Sequence, residues 1–236
     1  MLSAVIFDFD GVIVDSEPLH YRAFMEVLAP HGIACSWDEY REHYMGFDDR
    51  DGFRAFFALA GQGLEASLLG ELMAAKAAAF QAIVGLGVVP YPGVLELIDA
   101  LVKTTPLALC SGALRSDILP ILTEFGLGGV FKVLVTAEDV AVSKPDPTSY
   151  RLAVESLAQI LPDLGVSPRT VLAIEDTPAG IASARGAGLA VLGVTNNYPA
   201  GQLVRQGCLL VLDSLEGVTP AGLEALFPDP GSPSRG

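Results

Sequence analysis

Short apolar runs alternate with helix-like segments along most of this 236-residue chain, and that alternation restricts the fold more than any other feature. Ala4-Val5-Ile6-Phe7 is the first run, and others fall at 107–110, 133–136, 171–174 and 190–193, several of them rich in β-branched side chains. Runs this short, and apolar without interruption, suit strands buried on both faces of a parallel sheet. Helical patterns lie between most of them, at 94–103, at 117–125 with Gly126 as a stop, at 148–157, and at 181–185 ending at Gly186. Crossovers of this kind put helices on both faces. The predicted class is therefore α/β, a Rossmann-like doubly wound parallel sheet. A further run at 209–212 would complete one edge, and Pro228-Asp229-Pro230-Gly231-Ser232-Pro233 reads as a frayed tail.

Residues 15–90 break the pattern, because they hold no apolar β-run and are helical in character throughout. Ser36-Trp37-Asp38-Glu39 has the order of a capping box. Asp48 or Asp49 is placed to cap a helix through Phe53, Phe56, Phe57 and Ala60, and 64–84 is alanine-rich with few breakers. Three or four helices are expected, making an all-α helical cap domain over 15–90, inserted into a core of 1–14 and 91–236. Gly85, Gly87, Pro90, Pro92 and Gly93 return the chain to the core. Together with the segment from Asp15 to Pro18 they form a two-strand hinge on which a helical module can open and close.

A formal net charge of −14 argues against a nucleic-acid partner, whose binding needs clustered Lys and Arg. The same charge repels a phosphorylated ligand, so a site for one must bring its own cation. Cys35, Cys110 and Cys208 have no CxxC spacing, which suggests neither zinc nor a disulfide framework and fits a reducing cytoplasm. Asp8 and Asp10 interrupt the N-terminal apolar stretch before it reaches signal or membrane-spanning length, so neither export nor a membrane anchor is expected. Oligomeric state is open, with a monomer as the simplest expectation.

Four features carry chemistry, and each follows a core strand. Asp8 and Asp10 close the first, at the carboxyl edge where ligands bind in open α/β sheets, although an acidic turn can also be merely solvated. Cys110-Ser111-Gly112 closes the next, where the hydroxyl and amides present donors to an oxyanion or simply cap a helix. Lys144 lies in Ser143-Lys144-Pro145-Asp146-Pro147, a loop stiffened by two prolines, which raises it above an ordinary solvated lysine. Glu175-Asp176 is a second acidic pair at a strand end. Two acidic ends meeting at one sheet edge repel each other unless a hard cation lies between them, and magnesium prefers carboxylate and water oxygens.

This set, in this order, resembles the motifs of the haloacid dehalogenase-like phosphotransferases over nearly all of the chain: Asp8-Phe9-Asp10-Gly11-Val12, Ser111, Lys144 and Glu175-Asp176. Asp15-Ser16-Glu17-Pro18-Leu19-His20 further resembles the subgroup of β-phosphoglucomutase and sugar-phosphate phosphatases, whose helical cap follows the first motif. The resemblance implies that Asp8 attacks phosphorus to form an aspartyl-phosphate and that Asp10 protonates the leaving oxygen and then deprotonates water. Mg2+ would be held by Asp8, the Asp10 backbone carbonyl, Asp176 and Glu175, while Ser111, Gly112 and Lys144 stabilise the equatorial oxygens.

His20 and Lys76 match cap-side positions expected of the mutase, and Arg50 is a candidate second contact to substrate. Each has an ordinary alternative: a core histidine, a solvated helix lysine, an arginine paired with the neighbouring Asp48 or Asp49. Phe53, Phe56 and Phe57 are read as cap core. Against the mutase, Met45-Gly46 with Arg50 four places on departs from its cap loop, and Leu114-Arg115 departs from its second motif. Loss of those donors favours a phosphatase acting on a small phosphorylated metabolite, with a phosphohexomutase as the alternative. A dehalogenase needs no metal and lacks the second aspartate of the first motif. A phosphoacceptor signalling module is about half this length and has no insertion.

Overall fold

The computed structural model describes residues 1–45 and 47–227; Gly46 and the Pro228–Pro233 segment lie outside the described residues. Six strands form one sheet in the order β3-β2-β1-β4-β5-β6: β1 (Ala4–Phe7), β2 (Leu107–Cys110), β3 (Val133–Val135), β4 (Val171–Glu175), β5 (Ala190–Val194) and β6 (Leu210–Leu212). Every pairing is parallel. Side chains alternate between two cores. Val5, Phe7, Leu109, Ile174 and Leu192 face one, while Ala4, Ile6, Ala108, Ala173 and Val191 face the other. Both faces are dry, which is why the strands read as unbroken apolar runs.

One face is covered by α5 (Val94–Leu101) and α6 (Arg115–Glu124), through Leu97, Ile98, Ile118 and Ile121. The other is covered by α7 (Thr148–Ile160), α8 (Pro178–Gly186) and α9 (Ala200–Arg205), through Tyr150, Ala153, Ile181 and Leu203. Two helices begin before the local pattern predicts. The α6 helix starts at Arg115 because that residue's amide donates to the Glu138 carboxylate at 3.0 Å, a cap 23 residues away that no local signal reveals. The α8 helix starts at Pro178 because Thr177 accepts from the Gly180 amide at 3.0 Å and proline suits the first helical position.

Between β1 and α5 lie α1 (Glu17–Leu28), α2 (Trp37–His43), α3 (Asp49–Leu59) and α4 (Ala66–Val84), so the insertion is all-helical. Ser36 and Glu39 form a reciprocal capping box, and Asp48 caps α3 by accepting from the Asp51 amide at 2.7 Å. These helices have an aromatic core of their own, with Phe24, Tyr40, Tyr44, Phe53, Phe56 and Phe57; the Tyr44 and Phe56 rings stack at 3.8 Å. By length and composition α4 could cross a membrane, but here it packs on α1 and buries Leu72, Lys76 and Phe80. The two connections to the sheet run side by side, with Val14 bridged to Pro90 and the Tyr91 amide donating to the Ile13 carbonyl at 3.0 Å.

Candidate active site

Parallel register sets the site. Phe7 lies opposite Ile174, and the Asp8 amide donates to the Ile174 carbonyl at 3.0 Å, so Asp8 leaves its strand beside Glu175 and Asp176. One carboxylate oxygen from each of the three lies within 4.8 Å of the others, and all three residues are buried. Gly11 then turns the chain at φ +82°, and a Cβ there would strike the Asp176 carboxylate, so only glycine fits. A Cβ on Gly180 would likewise strike the Glu175 carboxylate, against which α8 packs closely.

One cation answers two of the three carboxylates. The Lys144 ammonium donates to Asp8 Oδ1 at 2.9 Å, Glu175 Oε1 at 2.7 Å and the Cys110 carbonyl at 3.0 Å. Glu175 is further held by the Tyr150 hydroxyl at 2.8 Å. Asp176 Oδ2 accepts from Asn197 Nδ2 at 2.7 Å, whereas its Oδ1 is buried with no partner. Negative charge is therefore in excess. Burial, then Glu175, pushes the Asp8 carboxyl up to about 8 despite Lys144. Burial, then Asp8 and Glu175, holds Asp176 well above the carboxylate range. An orphaned oxygen in a cluster of hard, anionic donors is what a divalent cation requires, and the group is able to hold one.

A stability trend follows. Between about pH 4 and 8 the folded protein keeps protons on Asp8 and Asp176 that the unfolded chain gives up, so without metal its stability falls as pH rises through that window. The slope approaches about 1.4 kcal/mol per pH unit for each proton retained. Asp10 acts oppositely, because its folded pKa is lowered; its contribution is lost only below the ordinary carboxylate range. Urea midpoints in chelator are expected to be lower at pH 8 than at pH 5.5. A midpoint that stays level or rises with pH contradicts this charge balance.

Asp10 stands apart from the cluster. Its Oδ1 accepts from Ser16 Oγ and faces His20 Nε2 at 3.3 Å, and its Oδ2 accepts from Ser111 Oγ at 3.3 Å. Burial alone would raise its pKa, but the hydrogen bonds from His20 and Ser16 and the charge of Lys76 outweigh it and lower the value. Behind His20, the Lys76 ammonium lies 2.7 Å from Nδ1 and 2.6 Å from Asp49 Oδ1. An ammonium can only donate, so Nδ1 accepts and the Nε2–H points to Asp10. Phe80 stacks on the same imidazole at 4.2 Å.

A cavity opens onto Asp8, Asp10, His20, Gly112 and Lys144, walled on the insertion side by Glu17 and Asp49. Two expected substrate contacts are not among its lining residues. Arg50 turns away to donate to the Ala141 carbonyl at 3.4 Å, and Lys76 is wholly buried behind His20. Lys76 is therefore not a solvated helix lysine: it is paired with Asp49 and hydrogen-bonded to His20. Ser16, Asp49, Tyr150 and Asn197 were not anticipated by sequence reasoning as members of the site.

A family model described as haloacid dehalogenase-like hydrolase matches residues 5–194. The chain belongs to this family. Family members include "Protein CbbY" of Rhodobacter capsulatus, 31% identical over 207 residues that span 85% of this chain and 88% of CbbY. Hexitol phosphatase A of Escherichia coli (strain K12) is 32% identical over 218 residues, 91% of this chain and 92% of that protein. The crystal structure of a CbbY mutant from Rhodobacter sphaeroides, in complex with xylulose-(1,5)bisphosphate, superposes with a TM-score of 0.83 at 27% identity, covering 94% of this chain and 99% of that one.

Proposed function

We propose that this haloacid dehalogenase-like hydrolase is a magnesium-dependent cytoplasmic phosphatase that hydrolyses a small phosphorylated metabolite, a sugar phosphate or similar monoester. Residues 15–90 act as its cap on a core of 1–14 and 91–236. The observation that carries this reading is the separation of two aspartates: Asp8 lies within the acidic cluster under Lys144, while Asp10 is held outside it by Ser16, His20 and Ser111. Chemistry that needs one nucleophile and one proton carrier needs them apart.

Asp8 and Asp176 are the principal candidates to hold Mg2+, with the Asp10 backbone carbonyl and Glu175 beside them; both Glu175 oxygens already accept hydrogen bonds, so its larger part is to anchor Lys144. The bound ion supplies Lewis-acid neutralisation of the phosphate dianion. Asp8 attacks phosphorus and the ester oxygen leaves, giving an aspartyl-phosphate. Arrival of the dianion raises the proton affinity of Asp10, which protonates the leaving oxygen and then takes a proton from the water that cleaves the intermediate. Lys144, Ser111 and the Gly112 amide offset charge on the equatorial oxygens, each well-placed donor contributing roughly 3 kcal/mol. The turning away of Arg50 from the cavity, and the hydrolytic relatives, support hydrolysis over a phosphohexomutase.

Phosphate release across a panel of phosphorylated metabolites tests this. At least one member is expected to release phosphate with magnesium and to stop doing so in EDTA. Silence across the panel with ample magnesium sinks the proposal.

A further inference from the structure

Away from Asp8, the cavity wall is acidic. Glu17, Asp48 and Asp49 join Asp10 in lining it, with Phe24, Tyr40 and Phe47 as its aromatic faces. His20 and Lys144 are the basic side chains among the described lining residues, and each already faces carboxylates. Lys76, the nearest further cation, is consumed by Asp49, and Arg50 points to the Ala141 carbonyl. Hydrogen-bond acceptors, by contrast, are left over. Asp49 Oδ2 is buried without a partner, and Glu17 has the Tyr40 hydroxyl on one oxygen at 3.0 Å.

Building on the phosphatase reading, we propose that this wall selects the leaving group by charge: a polyhydroxylated skeleton that is neutral or carries an amine is accepted, and one bearing a second phosphate or a carboxylate is rejected. A second anion would face carboxylates, with no uncommitted cation among the described lining residues to receive it. Hydroxyl or ammonium donors meet the opposite situation, because they satisfy acceptors that the protein leaves unpaired. Rejection of this kind sets the chain apart from CbbY, whose crystal structure holds a bisphosphate.

Three ligands with the same pyranose 1-phosphate skeleton isolate the effect: glucosamine 1-phosphate, glucose 1-phosphate and glucuronic acid 1-phosphate carry an amine, no further charge, and a carboxylate. Their binding to the full-length Asp8→Asn protein with magnesium is read by calorimetry at pH 7, so turnover is not required. Affinity is expected to fall in that order, with glucuronic acid 1-phosphate at least tenfold weaker than glucose 1-phosphate. An Asp8→Asn/Asp49→Asn protein is expected to narrow that gap at least threefold. Equal affinities, the reverse order, an unchanged gap, or no binding by any of the three overturns the selectivity. Hydrolysis of p-nitrophenyl phosphate by the unaltered protein is scored separately. Its failure counts against the phosphatase reading, whereas success with a flat binding order counts against the acidic wall alone.

Discussion

Asp8→Asn protein is expected to lose phosphate release by about 10^4-fold or more and yet to unfold at higher urea than the parent when both are held at pH 8 in chelator. The two effects share one cause. Asp8 is buried among Glu175 and Asp176, and its carboxyl is pushed up to about 8, so its ionised form opposes folding until a cation arrives. Asparagine has nearly the same shape, removes that charge and leaves Lys144 its 2.7 Å contact with Glu175. A gain of roughly 1–3 kcal/mol is expected, since each unit by which burial raises the carboxyl pKa is worth about 1.4 kcal/mol and loss of the Lys144 contact offsets part of it. Functional residues commonly cost stability in this way. Urea unfolding with and without magnesium makes the measurement: the difference between variant and parent should shrink when magnesium is added, because the parent gains more from it. Retained activity would remove Asp8 as nucleophile, and a less stable variant would mean that the carboxylate is better compensated than its surroundings indicate.

The strands were legible in the sequence because a residue buried on either face of a sheet must be apolar wherever the strand runs, so 4–7 and 107–110 announce themselves without reference to the rest of the chain. The acidic ends were legible for a related reason. Carboxylates that interrupt such runs fall at the same edge of a parallel sheet, and their meeting follows from topology. Lys76 shows where this stops. A lysine among alanines on a helix reads as solvated, and its burial depends on Asp49 and His20, 27 and 56 residues distant. Tyr150 sits on the buried face of α7 and is indistinguishable from core until its hydroxyl is seen to reach Glu175. Asn197 follows β5 in a stretch with no motif, and only the close approach over Gly11 explains its place beside Asp176. Arg50 is a different case: its position on the first turn of α3 was legible, but the direction of its side chain, toward the Ala141 carbonyl, was not.

Lys144→Met reverses the logic of Asp8→Asn and is expected to damage both properties. The ammonium is almost completely enclosed, and its partners are two carboxylates and the Cys110 carbonyl. Burial alone would lower its pKa, but Asp8 and Glu175 outweigh that and raise it well above the usual lysine value, so the charge is present wherever the protein is folded. Methionine keeps the stem and removes the charge, leaving Asp8, Glu175 and Asp176 in one buried cluster without any counter-ion. Breaking a buried pair from one side costs about 3–5 kcal/mol, and the cost should be greatest at alkaline pH, where the carboxylates can least easily be neutralised by protons. Magnesium should restore part of the stability, since a divalent ion satisfies the same charges. It should restore little of the activity, because the donor to the phosphoryl oxygens is gone; a residual deficit of about 10^2–10^3-fold is expected in saturating metal. A loss of less than 1 kcal/mol at pH 8 in chelator would mean that the three carboxylates do not depend on this lysine, and recovery of full activity with magnesium would confine Lys144 to a structural role.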